Sequence, residues 1–160
     1  MQLPLFARLY PPLDQLRITQ GYGGDHRAVD YAAAKGTPAK AAFSGKVVDV
    51  TSSGNCGTGL AIQKGSWRVR YCHFDSLSVQ AGDQVRAGQV VGTTGTTGNV
   101  TGPHLHFALG IRCDGEGGNC LLVSPSAELK LQAVLGWVLT AGLVAALAGG
   151  SYVALKAALK

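Results

Sequence analysis

Thr97-Gly-Asn-Val-Thr-Gly-Pro-His-Leu-His-Phe107 carries two imidazoles separated by one apolar residue. In a β-strand, residues i and i+2 point to the same face. His104 and His106 therefore project together, and Leu105 and Phe107 turn the other way, into a core. Two imidazoles fixed side by side at the mouth of a loop suit a metal ion and the chemistry it supports. A second pair, His26 and Asp30, is four residues apart with Ala28 between them. In an extended segment the two share a face; on a helical turn they are also neighbours. Together with His106 they offer two imidazoles and one carboxylate. Three protein ligands with a fourth position left to water is the pattern of catalytic zinc. His73 and His104 then stand beside the metal, free to act as general base or to stabilise charge on a reacting oxygen. A second assignment uses His104 and His106 together as ligands, and the spacing leaves both open.

The elements that must position these residues read as short strands. Arg17 to Gly24 is a strand ending in a glycine turn, and His26 to Asp30 runs into Tyr31. Ala41 to Thr51 alternates around Gly45, with Phe43, Val47 and Val50 expected in the core. Ser52 to Gly59 is expected to be a loop holding Cys56. Leu60–Lys64 and Trp67–His73 form a hairpin about Gly65 and Ser66, with His73 at its end. Ala81-Gly-Asp-Gln-Val and Ala87-Gly-Gln-Val-Val are an internal echo, each half a turn followed by a short strand. Such echoes also occur in lipoyl-type carrier domains, but no modifiable lysine sits in a tight hairpin here. Frequent short strands bounded by turns predict an all-β, antiparallel domain.

The chain has 160 residues, 23 of them glycine, and a net charge of +5. The basic excess suits an anionic partner. No Arg/Lys-rich run or basic helix face is present, so nucleic acid is not expected as a partner. Cys56, Cys72, Cys113 and Cys120 show no C-x-x-C spacing, which argues against a thiolate zinc site. The pairs Cys56–Cys72 and Cys113–Cys120 each flank an expected hairpin, and disulfides there imply an oxidising compartment.

Charged residues make up only 14% of the chain, against about 25% usually. The deficit lies at the C-terminal end: residues 131–155 contain no charge. That run exceeds the roughly 20 apolar residues that span a bilayer. Trp137 and Tyr152 lie toward its ends, where aromatic rings favour the interface. Gly142 and Ala146, and Ala145 and Gly149, have the spacing for close helix contact. The expectation is a C-terminal transmembrane helix in a lipid bilayer, capable of self-association. Residues 1–16 read as a proline-punctuated arm without the features of a signal peptide, 17–126 as the catalytic domain, and 127–160 as the helix and a short basic tail. Two lysines after the span against one before it favour a catalytic domain outside the cytoplasm.

In order and spacing, His26-Arg-Ala-Val-Asp30, Gly36-Thr-Pro-Ala, Tyr71-Cys-His-Phe, the glycine echo and Thr97 to Phe107 resemble the lysostaphin-type (LytM-like) zinc metalloendopeptidases. The resemblance covers about Arg17 to Pro125. It implies an antiparallel β-sheet domain with a groove, Zn2+ held by His26, Asp30 and His106, and catalysis by His73 and His104. The substrate it implies is a peptide cross-link of bacterial peptidoglycan, with loops 52–59 and 93–102 walling the groove. Four features depart from the pattern: Ala28 in place of the usual Gly, Phe74 in place of Leu, Ala108 in place of Glu, and a short stretch before His26. None removes a ligand or a catalytic histidine; they bear on substrate preference. A hydrolase with a terminal membrane segment fits a phage protein acting at host entry or lysis, or a bacterial tail-anchored envelope enzyme. The competing reading is a non-catalytic, membrane-anchored wall-binding protein that keeps the fold.

Overall fold

Strand-forming, β-branched and aromatic residues recur between glycine turns, and the computed structural model places them in two antiparallel sheets. It describes residues 9–116 and 118–125. The segment 131–155, and with it the expected transmembrane helix, lies outside the described residues. Among the described residues no helix is long and apolar enough to cross a membrane.

The larger sheet runs in the order β1 (Ile18–Gln20), β2 (Val29–Ala32), β10 (His104–Ile111), β6 (Trp67–Cys72), β5 (Gly57–Lys64), β4 (Gly45–Ser53), β8 (Gln84–Val85). A further strand, β11 (Leu121–Val123), pairs with the end of β10. The smaller sheet orders β3 (Pro38–Lys40), β9 (Val90–Thr94) and β7 (Phe74–Leu77). The all-β, antiparallel expectation holds for the described residues. Both halves of the glycine echo turn at a left-handed glycine, Gly82 (φ 96°) and Gly88 (φ 81°), and enter β8 and β9.

The core sits on one face of the larger sheet. Val29 and Tyr31 of β2, Leu60 and Ile62 of β5, Val69 and Tyr71 of β6, and Leu105, Phe107 and Leu109 of β10 are all buried there. Tyr71 is fully enclosed, and its hydroxyl accepts the Ala42 N–H at 2.7 Å. That bond satisfies the one polar atom of a ring whose apolar body fills the core. Burial pushes its phenol far above the ordinary range, so it stays neutral.

Three expectations change. The described part of the arm, 9–16, is packed on the core, because Leu9 and Leu13 are buried in it. Tyr10 N–H donates to Ala42 O, and Pro12 O accepts Lys40 N–H. Ser52–Gly59 is a tight hairpin turn and not a long loop: β4 continues to Ser53 and β5 begins at Gly57. Val50 is 39% exposed. A bulge between Val47 and Asp49 sets Val50 across from Leu60, but β8 covers β4 only at Gly45 and Lys46. Beyond that point β4 is an edge, and Val50 meets solvent while Val47 stays in the core.

Both expected disulfides are formed, Cys56–Cys72 and Cys113–Cys120. The first ties the β4–β5 turn to the end of β6. There the turn meets the 97–99 loop at very close range. Asn99 N–H donates to Asn55 O, and Thr58 N–H donates to the Thr97 hydroxyl. Gly98 has φ 78°, and a Cβ on it would lie 2.4 Å from Asn55 O and 2.5 Å from Gly57 N. A left-handed non-glycine residue costs about 1–2 kcal/mol, and overpacking adds about 1–3. Gly98→Ala is therefore expected to lower unfolding stability by roughly 2–5 kcal/mol. Urea unfolding of the variant measures this, and a loss below about 1 kcal/mol would show that the two loops yield freely.

Candidate metal centre and groove

Asp30 and His106 meet because of strand register. On β2 and β10 the antiparallel partners are Phe107 with Val29, His106 with Asp30, Leu105 with Tyr31 and His104 with Ala32. Alternate residues on both strands fill the core, so Asp30, His104 and His106 all leave the sheet on the opposite face. His26 precedes β2 in a tight turn, where it exchanges backbone hydrogen bonds with Gly23. That turn brings its ring back over Asp30.

Three ligand-type atoms converge. His106 Nδ1 is 2.9 Å from Asp30 Oδ1, and His26 Nε2 is 3.3 Å from the same oxygen. The donor atoms of His26, Asp30 and His106 all lie within 4.8 Å of one another. His26 Nδ1 is 2.9 Å from Gly21 O. A carbonyl only accepts, so Nδ1 carries the proton and Nε2 presents its lone pair. Among the described residues, His26 Nε2 is the buried side-chain polar atom left without a hydrogen bond. An orphaned lone pair aimed at a carboxylate oxygen is unfavourable unless a cation lies between them. Ligands about 2.0–2.1 Å from a tetrahedral zinc stand roughly 3.3 Å apart, close to the spacings found. The donor set and its geometry fit that ion.

Asp30 is buried, which by itself raises its carboxyl pKa. The hydrogen bond from His106 and the charges of His106, His104 and His26 outweigh burial, and the net shift is downward. The group is an anion at neutral pH.

His73 and His104 form the opposite wall, with ring centroids 4.7 Å apart. His73 is 5.7 Å from His106 by the same measure, and His104 Nε2 is 3.7 Å from Asp30 Oδ2. Four histidines and Asp30 thus line one site. His104 addresses the second carboxylate oxygen, whereas His26 and His106 converge on the first. His73 Nδ1 is 2.8 Å from Thr97 O, and His104 Nδ1 is 2.9 Å from Gly102 O. Both rings are held as the Nδ1–H tautomer by carbonyls, and both present a free Nε2. Burial pushes the His73 pKa down, against the opposing pull of the Thr97 carbonyl, so the ring is neutral at pH 7.

The backbone at His73 is itself constrained. Its φ is 69°, an uncommon value for a non-glycine residue. His73 N–H donates to Cys56 O, and Gly95 N–H donates to His73 O. Sequence reading missed Thr97 in this role. Its carbonyl orients His73, while its hydroxyl accepts Thr58 N–H and donates to Phe74 O. Sequence spacing carries no sign of such a hub, since it joins three segments distant in the chain.

The site opens into a groove of about 670 Å³. Asn55 and Cys56 line it from the β4–β5 turn, and Asn99, Val100 and Thr101 from the loop before β10. The two expected loop regions do wall it, although the first is a tight turn.

The sequence model for peptidase family M23 matches residues 24–118, which contain all five of these side chains. The chain belongs to that family. Its members are zinc metallopeptidases, in keeping with the His–Asp–His cluster. A glycyl-glycine endopeptidase of Staphylococcus capitis is 41% identical over 88 residues, covering 53% of this chain and 24% of that protein. A peptidoglycan DD-endopeptidase of Vibrio cholerae is 38% identical over 88 residues, covering 54% of this chain and 21% of that protein. The chain therefore spans about a quarter or less of the length of these relatives. Among solved structures, the catalytic domain of lysostaphin from Staphylococcus simulans superposes with a TM-score of 0.64 at 32% identity, covering 72% of this chain and 92% of that one.

The tautomers are directly measurable. Long-range proton–nitrogen spectra of the metal-free protein at about pH 8 are expected to show His73 and His104 protonated on Nδ1. A majority Nε2–H form at either residue would contradict the carbonyl anchoring.

Proposed function

We propose that this chain is a zinc-dependent endopeptidase that hydrolyses peptide cross-links of bacterial peptidoglycan. The observation that carries the reading is the buried, unpartnered Nε2 of His26, facing Asp30 and His106. His26, Asp30 and His106 would hold the ion, and His104 and His73 would do the proton chemistry beside it. When bound, zinc supplies a Lewis acid that polarises the scissile carbonyl and lowers the pKa of water.

The chain's own residues account for the remainder. Asp30 is the one carboxylate in the proposed ligand set, so a dication there keeps a net positive charge for polarising substrate. The free Nε2 of His104 or His73 accepts a proton from the attacking water as the carbon–oxygen bond forms. The imidazolium so produced stabilises negative charge on the tetrahedral carbonyl oxygen. It then returns the proton to the amide nitrogen as the carbon–nitrogen bond breaks, leaving a carboxylate and an amine. Anchoring both Nδ1–H groups to backbone carbonyls removes the reorganisation that a rotating ring would require. Asn55, Asn99, Val100 and Thr101 wall the groove, and such small and amide-bearing residues suit an extended peptide.

In the same reading, the uncharged stretch 131–155 tethers the enzyme to a bilayer with the peptidase domain outside the cytoplasm. Two disulfides in the domain favour an oxidising side of the membrane.

His106→Ala is expected to abolish both zinc content and release of peptidoglycan fragments. His104→Ala is expected to retain zinc and to lose activity by about a hundred- to ten-thousand-fold. Metal analysis paired with a turbidity assay on purified sacculi reads both. Zinc loss in the His104 variant would instead make that residue a ligand, and full activity in either variant would sink the enzyme reading.

A further inference from the structure

A second cavity, about 550 Å³, shares His26, His106 and Arg70 with the groove and extends it along the larger sheet. Its floor follows from β10. His106, Ala108 and Gly110 alternate with Phe107 and Leu109, both fully buried on the core face. The groove face of β10 therefore falls from an imidazole to a methyl group to no side chain. At Gly110 the small residue is required, since a Cβ would lie 2.6 Å from the Cys120 Cβ. Beside this floor runs β6, with Arg70 across from Ala108 and Arg68 across from Gly110. Arg27, next to the His26 ring, lines the cavity as well.

Three guanidinium groups line one trough, and their neutralisation is incomplete. Arg68 donates to Gln63 Oε1 from both Nε and Nη2, to Gly118 O from Nη1 and to Gly115 O from Nη2. All these acceptors are uncharged. Arg27 lies over the Tyr22 ring at 5.7 Å and reaches its hydroxyl at 3.4 Å. Among the described residues, neither Arg27 nor Arg68 has a carboxylate partner. Arg70 donates one hydrogen bond to Asp49 Oδ2 at 2.8 Å, in a pair that is itself more than 40% exposed. Asp25 also lines the trough, so it holds three cations and one anion. Ala108 places no acid between the arginines.

We propose that this trough is a subsite for a carboxylate on the substrate peptide, one residue or so from the scissile bond. The proposal rests on the endopeptidase reading and deepens it. An extended peptide advances about 3.3 Å per residue, and a side chain or terminus beyond the bond held at His106 passes over Ala108 toward Arg70 and Arg27. An arginine fork is suited to bind a carboxylate through two parallel hydrogen bonds. An uncharged glycine bridge offers the trough nothing. A stem-peptide cross-link with free carboxylates matches it, so the chain is assigned to that substrate class.

The test compares two synthetic cross-linked stem peptides on the zinc-loaded 160-residue chain. They are identical except that the carboxylate beside the scissile bond is free in one and amidated in the other. The free form is expected to show at least about a tenfold higher kcat/KM. In Arg27→Gln, a change at an exposed position, the ratio is expected to fall toward one. Ala108→Glu, which places a competing acid in the trough, is expected to do the same. Separate peptides with side-chain and C-terminal carboxylates identify which source is read. Equal kcat/KM for the free and amidated forms, or an undiminished ratio in Arg27→Gln, overturns the subsite. Hydrolysis of both peptides at equal rates leaves the endopeptidase reading standing without it. If neither is hydrolysed, calorimetric binding of the two peptides decides: tighter binding of the free acid, lost in Arg27→Gln, supports the subsite, and equal binding overturns it.

Discussion

The pairing of β2 with β10 in one register is the constraint on which the site depends. It sets Asp30 beside His106 and, through the alternation of side chains, commits Tyr31, Leu105 and Phe107 to the core. A slip of one residue would invert both faces together. It would expose three large apolar side chains and bury an aspartate with two histidines. The cost of that exchange far exceeds any single contact in the site: burying a Leu or Phe is worth about 1.5–3 kcal/mol, and an unpaired buried carboxylate costs more still. The hydrophobic core thus determines the geometry of a polar cluster on the other side of the same strands. Ligands placed this way are held by the most stable part of the fold.

His73 is positioned by a different means. It lies just past the end of β6, where no strand partner fixes it, in a left-handed backbone conformation. The Cys56–Cys72 bond, the hydrogen bond from His73 N–H to Cys56 O and the Thr97 hydroxyl together knot the β4–β5 turn, the end of β6 and the 97–99 loop. Closing a loop of that length by a disulfide is worth about 3 kcal/mol in the chain-entropy view. That is enough to offset the conformational cost at one strained residue, of order 1–3 kcal/mol. A rigid ligand set and a knotted turn therefore converge from opposite walls. Neither needs a substrate to assemble it.

Much of this was legible in the sequence because the chemistry is compressed into short range. His104 and His106, or His26 and Asp30, need only one strand or one turn to be read as neighbours. The two disulfides followed from hairpins whose turns were visible as glycine clusters. What escaped was non-local. The core role of Leu9 and Leu13 depends on a proline-rich segment bonding alongside Lys40 and Ala42, and nothing in its own pattern shows that. The exposure of Val50 depends on how far β8 runs along β4. The Thr97 hub exists only because residues 58, 73, 74 and 97 meet in three dimensions. Periodicity reports which face a residue takes within its own strand, and it is silent about where a neighbouring strand ends.

The same limit applies to Arg68 and Arg70, whose place in the sequence shows only the face of β6 they take. Alternation on β6 correctly separates them from Trp67, Val69 and Tyr71, but a solvated charge and a cavity-lining charge have the same pattern. The difference comes from β10, where Ala108 leaves the space beside Arg70 open and Gly110 lets Cys120 pack against the strand beside Arg68. The Gln63 side chain and the carbonyls of Gly115 and Gly118 then fix Arg68 without cancelling its charge. A guanidinium pinned by neutral acceptors has little left to lose in side-chain entropy when an anion arrives, unlike a mobile surface arginine. Arg68 therefore contributes a standing positive field, and the less constrained Arg27 and Arg70 supply the donors. The Cys113–Cys120 loop, which carries two of those carbonyls, belongs as much to the electrostatics of the trough as to the stability of the fold.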